Sequence, residues 1–183
     1  LHFSDQIVLL ARTFRERLCS LVAHWLRVGY CQGNFNSDNC AAGGFTLDFG
    51  PFGFCELYDP QFQPWTGGGG HFSFLNQPVA AEANFHMFWK SLRLLLLNDD
   101  TKLEELDQVR KDFEPYMQSK LQHMWSTKLG LSQYDPRICD GLLDLLGRSK
   151  VDFTIFFREL SHLPSDFSDL NKSFYIPLSK QLE

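Results

Sequence analysis

The sequence predicts a mainly α-helical protein with one small β-hairpin, and three observations lead to this prediction. Apolar residues make up 44% of the 183 residues, and over long stretches they recur at steps of three and four. Residues 30–53 instead lack helical period and are rich in Asn, Asp, Ser and Gly. The chain shows neither an internal repeat nor a change of composition, which favours a single domain.

The first 29 residues predict one long amphipathic helix. Ser4 is a suitable N-cap, and Gly29 is a suitable C-terminal stop. The apolar positions between them fall on one face: Ile7, Leu10, Ala11, Phe14, Leu18, Leu21, Trp25 and Val28.

Residues 30–60 predict an irregular segment that contains the hairpin. Gly43 and Gly44 form a candidate turn, and we expect residues 40–47 to fold back around it. Residues 61–77 predict a loop, and the four consecutive glycines within it favour a flexible surface loop. A phosphate-binding loop is disfavoured because no helix follows these glycines directly and no Lys or Ser/Thr stands where a P-loop needs one.

The remaining residues, 78–183, predict a helical region. One helix begins near Pro78, since proline is tolerated in a first helical turn. A second apolar pattern runs from Leu103 to Met124 and predicts a helix that is kinked near Pro115. Two shorter helices are predicted at residues 136–148 and 151–162.

Charge and cysteine content limit the partners and the compartment. There are 17 basic and 22 acidic residues, and the basic ones are scattered, so we expect no nucleic-acid partner. No apolar run approaches the roughly 18 residues of a membrane span, so we expect no membrane partner. The five cysteines include no C-x-x-C pair, which favours free thiols in a reducing compartment: Cys19, Cys31, Cys40, Cys55 and Cys139.

The polar cluster before and after the predicted hairpin is the candidate site. A hairpin would return Asp48 to the side of Asn39, and such a pair of oxygen donors suits Mg²⁺ with a nucleotide. Because side chains alternate in an extended segment, Asp38 points away from Asn39 and can face a hydroxyl as general base. Turn capping is the alternative role, and we favour it for Asn36 and Ser37.

A kinase-like pattern surrounds these residues. Protein kinases place an H-R-D-x-x-x-x-N loop after a long helix, and a later D-F-G segment supplies a second metal ligand. Here the long helix is followed by residues 32–39 and then by a literal Asp48-Phe49-Gly50. Asn34 occupies the position of the kinase base, and an amide cannot accept a proton at neutral pH.

Longer matches resemble the selenoprotein O family of kinase-like proteins. They cover most of the chain: residues 28–39 (VGYCQGNFNSDN), 45–54 (FTLDFGPFGF), 58–60 (YDP), 74–78 (FLNQP) and 151–158 (VDFTIFFR). The resemblance implies a protein-kinase-like C-lobe over residues 1–183, with the N-lobe absent from this chain. Two positions depart from the family pattern: Gln32 replaces the usual His, and Ser37 replaces a common Thr.

The resemblance also implies a function. Members are protein adenylyltransferases that transfer AMP from Mg-ATP to Ser, Thr or Tyr hydroxyls of proteins. It implies Asp38 as the proton acceptor and Asn39 and Asp48 as ligands of Mg²⁺, with Mn²⁺ as a substitute and with Asp48 also next to the nucleotide. It further implies a mitochondrial or cytoplasmic location.

Two other functions stay open. An atypical kinase would transfer the γ-phosphoryl group instead, and the residues that orient the nucleotide would lie in the N-lobe. A non-catalytic interaction module with a kinase-like fold is the third possibility, favoured by Gln32 and Asn34. We expect these 183 residues alone not to turn over ATP, because one wall of the nucleotide site would be missing.

Overall fold

The computed structural model describes residues 2–162, which form a mainly helical fold with a small two-stranded antiparallel sheet. The predicted fold class is confirmed at this level, and the part of the predicted helical region after residue 162 lies outside the described residues. The helices are α1 (Phe3–Val28), α2 (Gln77–Arg93), α3 (Asp100–Lys111), α4 (Phe113–Lys128), α5 (Pro136–Ser149) and α6 (Phe153–Leu160). The strands are β1 (Tyr30–Gln32) and β2 (Phe52–Phe54), and short 3₁₀ helices span Ser37–Asn39, Gly70–Phe72 and Phe74–Asn76.

Helix α1 is the central element of the fold, and its apolar face packs against α2, α3 and α4. The N-cap is His2 rather than the predicted Ser4, because the Asp5 carboxylate is placed to accept the backbone N–H of His2 at 3.3 Å. The helix ends as predicted at Gly29, which has a φ of 77° in the left-handed region that glycine adopts without strain. Buried residues on this face include Leu18, Val22 and Trp25.

The predicted kink near Pro115 is a complete break between α3 and α4. The interruption falls at Asp112, three residues earlier than the proline. A proline ring clashes with the carbonyl four residues before it, which here belongs to Lys111, the last residue of α3. Pro115 is then accommodated in the first turn of α4.

The sheet is not the hairpin that the sequence predicts. Residues 40–47 contain one isolated antiparallel bridge, between Cys40 and Thr46, and no strand. The strands pair farther out, with Tyr30 opposite Phe54 and Gln32 opposite Phe52. Ring packing accounts for this pairing, because the Tyr30 ring lies 5.6 Å from the ring centroids of both phenylalanines.

The loop of four consecutive glycines is held by polar side chains of its neighbours. The Gly69 carbonyl accepts from Gln63 Nε2 at 3.3 Å, and the Gly70 carbonyl accepts from Asn76 Nδ2 at 2.7 Å. Within residues 2–162, no helix combines the length and the apolar character that a membrane span requires. All five cysteines are free thiols.

Candidate functional site

The segment after β1 carries the predicted site residues. The Gly33 amide donates to the Pro51 carbonyl at 2.7 Å, which extends the β1–β2 ladder by one residue. The chain then leaves the sheet and forms the 3₁₀ helix Ser37–Asn39. The segment is therefore not extended, as the prediction for Asp38 and Asn39 assumed, but this short helix still gives the two residues different surroundings, with Asp38 exposed and Asn39 half-buried.

Asn39 is fixed by a hydrogen bond that leaves its amide oxygen available. Its Nδ2 donates to the backbone carbonyl of Asn34 at 2.9 Å. The Asn34 side chain accepts in turn from Asn36 Nδ2 at 2.6 Å. Asn34 and Asn36 therefore build the loop. Asn36 stands at the N-cap of the 3₁₀ helix, but its side chain makes no capping hydrogen bond, so the turn-capping role predicted for it is not observed.

Asp48 lies beside the sheet and is half-buried. Its Oδ1 accepts the Gly50 amide at 3.0 Å, which fixes the carboxylate in a tight turn. A Cβ atom at Gly50 would lie 2.8 Å from Asp48 Oδ2, so a larger residue there would displace the carboxylate. Burial raises the pKa of Tyr30 to about 12, and the nearby charge of Asp48 adds to this shift.

The antiparallel bridge between Cys40 and Thr46 returns the chain toward the segment that carries Asn39. Asn39 immediately precedes the bridge, and Asp48 follows it by two residues. The Trp25 indole N–H donates to Thr46 Oγ1 at 3.0 Å and ties this region to α1. The return of the chain that the sequence predicts is therefore present, although it is made by one bridge and not by a hairpin of two strands.

Asp38 differs from its neighbours because its carboxylate is exposed and makes no hydrogen bond or ion pair with any residue in 2–162. Turn capping therefore does not explain this carboxylate. Ser37 contacts helix α2 instead of capping a turn, since its hydroxyl donates to Asn84 Oδ1 at 2.9 Å. The side chain of Asp38 is free to meet a group that arrives from solvent.

Two residues of α2 position β1 and the loop that follows it, and neither of them belongs to the site that the sequence predicts. Gln77 is 0% exposed; its Oε1 accepts the Gln32 amide at 2.9 Å, and its Nε2 donates to the Tyr30 carbonyl at 2.9 Å. Asn84 donates to the Phe35 carbonyl at 2.9 Å. The available signal was two amide side chains seven residues apart on the apolar face of a helix.

Gln32, which departs from the pattern that the motifs resemble, is part of this support. It is 1% exposed, and its Oε1 accepts the Tyr30 hydroxyl at 2.5 Å. Its Nε2 is buried and has no hydrogen-bond partner within residues 2–162. The Gln32 side chain therefore supports β1 through Tyr30.

Replacement of Gln77 by Leu is expected to destabilise the protein by about 2–4 kcal/mol, because buried backbone groups of Tyr30 and Gln32 would lose their partners. Chemical denaturation would measure the free energy of unfolding. Gln122→Leu, at an exposed position of α4, is the matched control and should change that free energy little. Equal stability of the two variants would contradict the supporting role of Gln77.

The donor set at Asn39 and Asp48 fits a hard divalent cation. An amide oxygen and a carboxylate oxygen are the ligand types that Mg²⁺ prefers, and Mg²⁺ completes its octahedron with water and phosphate oxygens. Residues 2–162 contain no cluster of three or more His, Cys, Asp or Glu side chains that could hold a metal. The two predicted donors would therefore share the ion with a nucleotide, and their metal role stays a prediction.

The curated relatives that this chain matches are named protein nucleotidyltransferases. A protein nucleotidyltransferase YdiU of Cytophaga hutchinsonii is 33% identical over 167 residues, which are 88% of this chain and 32% of that protein. The YdiU protein of Agrobacterium fabrum is 33% identical over 175 residues, which are 93% of this chain and 36% of that protein. This chain thus spans about a third of the length of the curated relatives it matches.

The particular family follows from a second match. The sequence model of the family described as protein adenylyltransferase SelO matches residues 2–181. The chain belongs to the SelO family, which confirms the resemblance found in its motifs.

Proposed function

We propose that this chain is the kinase-like C-lobe of a protein adenylyltransferase and that it carries the acceptor side of the active site. The observation that supports this proposal most directly is the exposed carboxylate of Asp38, which no side chain in residues 2–162 engages. Asn39 is the next residue, and Asp48 follows the Cys40–Thr46 bridge by two residues. The order of long helix, polar loop and Asp-Phe-Gly segment resembles that of a kinase C-lobe, which supports the proposal.

The proposed reaction moves AMP to a hydroxyl of a protein Ser, Thr or Tyr. The hydroxyl oxygen attacks the α-phosphorus of ATP and forms a new P–O bond. The bond between the α-phosphorus and the bridging oxygen to the β-phosphate breaks, and pyrophosphate leaves with the bonding electrons. Asp38 accepts the hydroxyl proton, which makes the oxygen a better nucleophile at the moment of attack.

Asn39 and Asp48 would hold Mg²⁺, or Mn²⁺ in its place, next to the phosphates of ATP. When bound, the metal neutralises phosphate charge and stabilises the negative charge that develops during transfer. The chain itself orients these donors before the nucleotide arrives. The Asn34 carbonyl fixes the Asn39 amide group, and the Gly50 amide fixes the Asp48 carboxylate.

Incubation of the full-length protein with ATP labelled at the α- or the γ-phosphorus tests this function. We expect label from the α position to become covalently bound to protein, with release of pyrophosphate. Transfer of the γ label alone would identify a kinase, and retention of both labels in the nucleotide pool would identify a non-catalytic module. Either of these results would contradict the proposal.

A further inference from the structure

A pocket of about 410 Å³ lies beside the loop that carries Asp38. The loop, the 3₁₀ helix Gly70–Phe72 and the first half of α2 form its walls. The lining side chains on which its chemistry depends are Phe35, Ser37, His71, Val79, Ala83 and Met87.

The walls of the pocket are mainly apolar, and apart from His71 their polar side chains are Ser and Asn, with no Asp, Glu, Lys or Arg. Val79 and Met87 are large apolar side chains of α2 that are 65% and 53% exposed. A charged group placed here would lose water and would meet no carboxylate, Lys or Arg, which is costly. The pocket therefore favours an aliphatic or aromatic side chain.

The rim of the pocket offers hydrogen-bond acceptors. Asn36 and Asn76 each line it, and each uses its amide nitrogen within the fold, on Asn34 and on the Gly70 carbonyl. Their amide oxygens accept no hydrogen bond from any residue in 2–162. Such acceptors match the backbone N–H groups of a polypeptide segment that crosses the rim in extended form.

The position of the pocket indicates which polypeptide this would be. Ser37 forms part of its wall, and Asp38 is the next residue. A hydroxyl that gives its proton to Asp38 must come within about 3 Å of the carboxylate. Because an extended chain advances about 3.3 Å per residue, residues a few positions from that hydroxyl reach the pocket.

We propose that this pocket binds an apolar side chain of the acceptor protein, a few residues from the hydroxyl that receives AMP. The inference rests on the proposed function and deepens it, since it assigns a sequence preference to the acceptor. The acceptor segment lies extended across the rim, and its apolar side chain points between Val79 and Met87. The hydroxyl is thereby held near Asp38.

Ala83→Trp in the full-length protein is the blocking variant. Ala83 lines the pocket and is exposed on α2, so a larger side chain can fill the pocket without entering the core. Lys90→Trp is the matched control, because Lys90 is exposed on the same helix and does not line the pocket. The two variants introduce the same side chain on the same element.

The probes are synthetic peptides with a single Tyr as the acceptor and Ala and Gln at the other positions. In each peptide, one of the three positions before or after the Tyr is replaced by Leu, Asp or Gly. We expect the wild type to prefer Leu at one of these positions. Ala83→Trp should lower kcat/KM for that Leu peptide by about tenfold or more, with the change mainly in KM. The affinity for Mg-ATP should stay within about twofold of wild type, and Lys90→Trp should behave as wild type.

Failure of this inference differs from failure of the proposed function. If the wild-type protein transfers no α label to any protein or peptide, that result contradicts the proposed function. If the wild type transfers the label to some protein but modifies the Leu and Asp peptides equally, or modifies neither of them, the pocket assignment alone is overturned. The same conclusion follows if Ala83→Trp and Lys90→Trp give the same kcat/KM.

Thiol labelling checks that the pocket is open in the whole protein. Ala83→Cys should react quickly with a maleimide, and the preferred Leu peptide should slow that reaction. A thiol at this position that reacts as slowly as the buried native cysteines would mean that another part of the protein covers the pocket. That result would also overturn the inference.

Discussion

Replacement of Asp38 by Ala in the full-length protein is expected to lower AMP transfer by about 10²- to 10⁴-fold, the usual loss for a positioned base. The affinity for Mg-ATP and the melting temperature should stay close to those of the wild type. The reason is structural, because the Asp38 carboxylate is exposed and no residue in 2–162 hydrogen-bonds to it. The three quantities should be measured on one preparation.

Asp140→Ala serves as the control for Asp38→Ala. Asp140 is also an exposed carboxylate, but it belongs to α5, which does not contribute to the candidate site. The control should transfer AMP at the wild-type rate. An Asp38→Ala protein that melts at a lower temperature but keeps its turnover would show that Asp38 stabilises the loop and is not the base.

Replacement of Asp48 by Asn is expected to have a different effect, because it weakens binding of the nucleotide as well as transfer. An Asn oxygen can still accept the Gly50 amide, so the turn is retained while the negative charge is lost. Mg-dependent affinity for ATP should fall by at least about tenfold, the loss caused by removing even an indirect partner of a metal. Titration of ATP with and without Mg²⁺ measures the effect.

The pKa of Tyr30 provides an independent measurement of the loss of charge in Asp48→Asn. Because the charge of Asp48 contributes to raising the pKa of Tyr30, its removal should lower that pKa while burial keeps it above the ordinary value. Ultraviolet titration of the phenol in Asp48→Asn and in wild type would show the shift. If affinity for ATP in Mg²⁺ is unchanged while the pKa of Tyr30 falls, Asp48 is not a metal ligand.

The helical part of the fold could be predicted because its signals are local. The spacing of apolar residues and a glycine stop defined α1, and the observed helix ends within one residue of the prediction. The sheet could not be placed in this way. Tyr30 and Phe54 are 24 residues apart, and ring packing selects their pairing, whereas the two adjacent glycines indicated a closer turn.

The site was predictable to the extent that its residues are close together in the chain. Asp38, Asn39 and Asp48 fall within eleven residues, and their roles could be proposed from a known motif. Gln77 and Asn84 were missed because their partners are backbone groups 45 to 49 residues earlier in the chain. Hydrogen bonds between a helix and a distant loop produce no pattern of neighbouring residues in the sequence.

The hydrogen bonds from α2 couple strand β1 and the first part of the following loop to the unfolding of that helix. Gln77 and Asn84 are side chains of one helix, and together they engage the backbone of Tyr30, Gln32 and Phe35. Amides exchange with solvent only when their bonds open, and buried bonds to a core helix open through cooperative unfolding of that unit. The amide of Gln32 in β1 would thus exchange with solvent as slowly as the amides of α2.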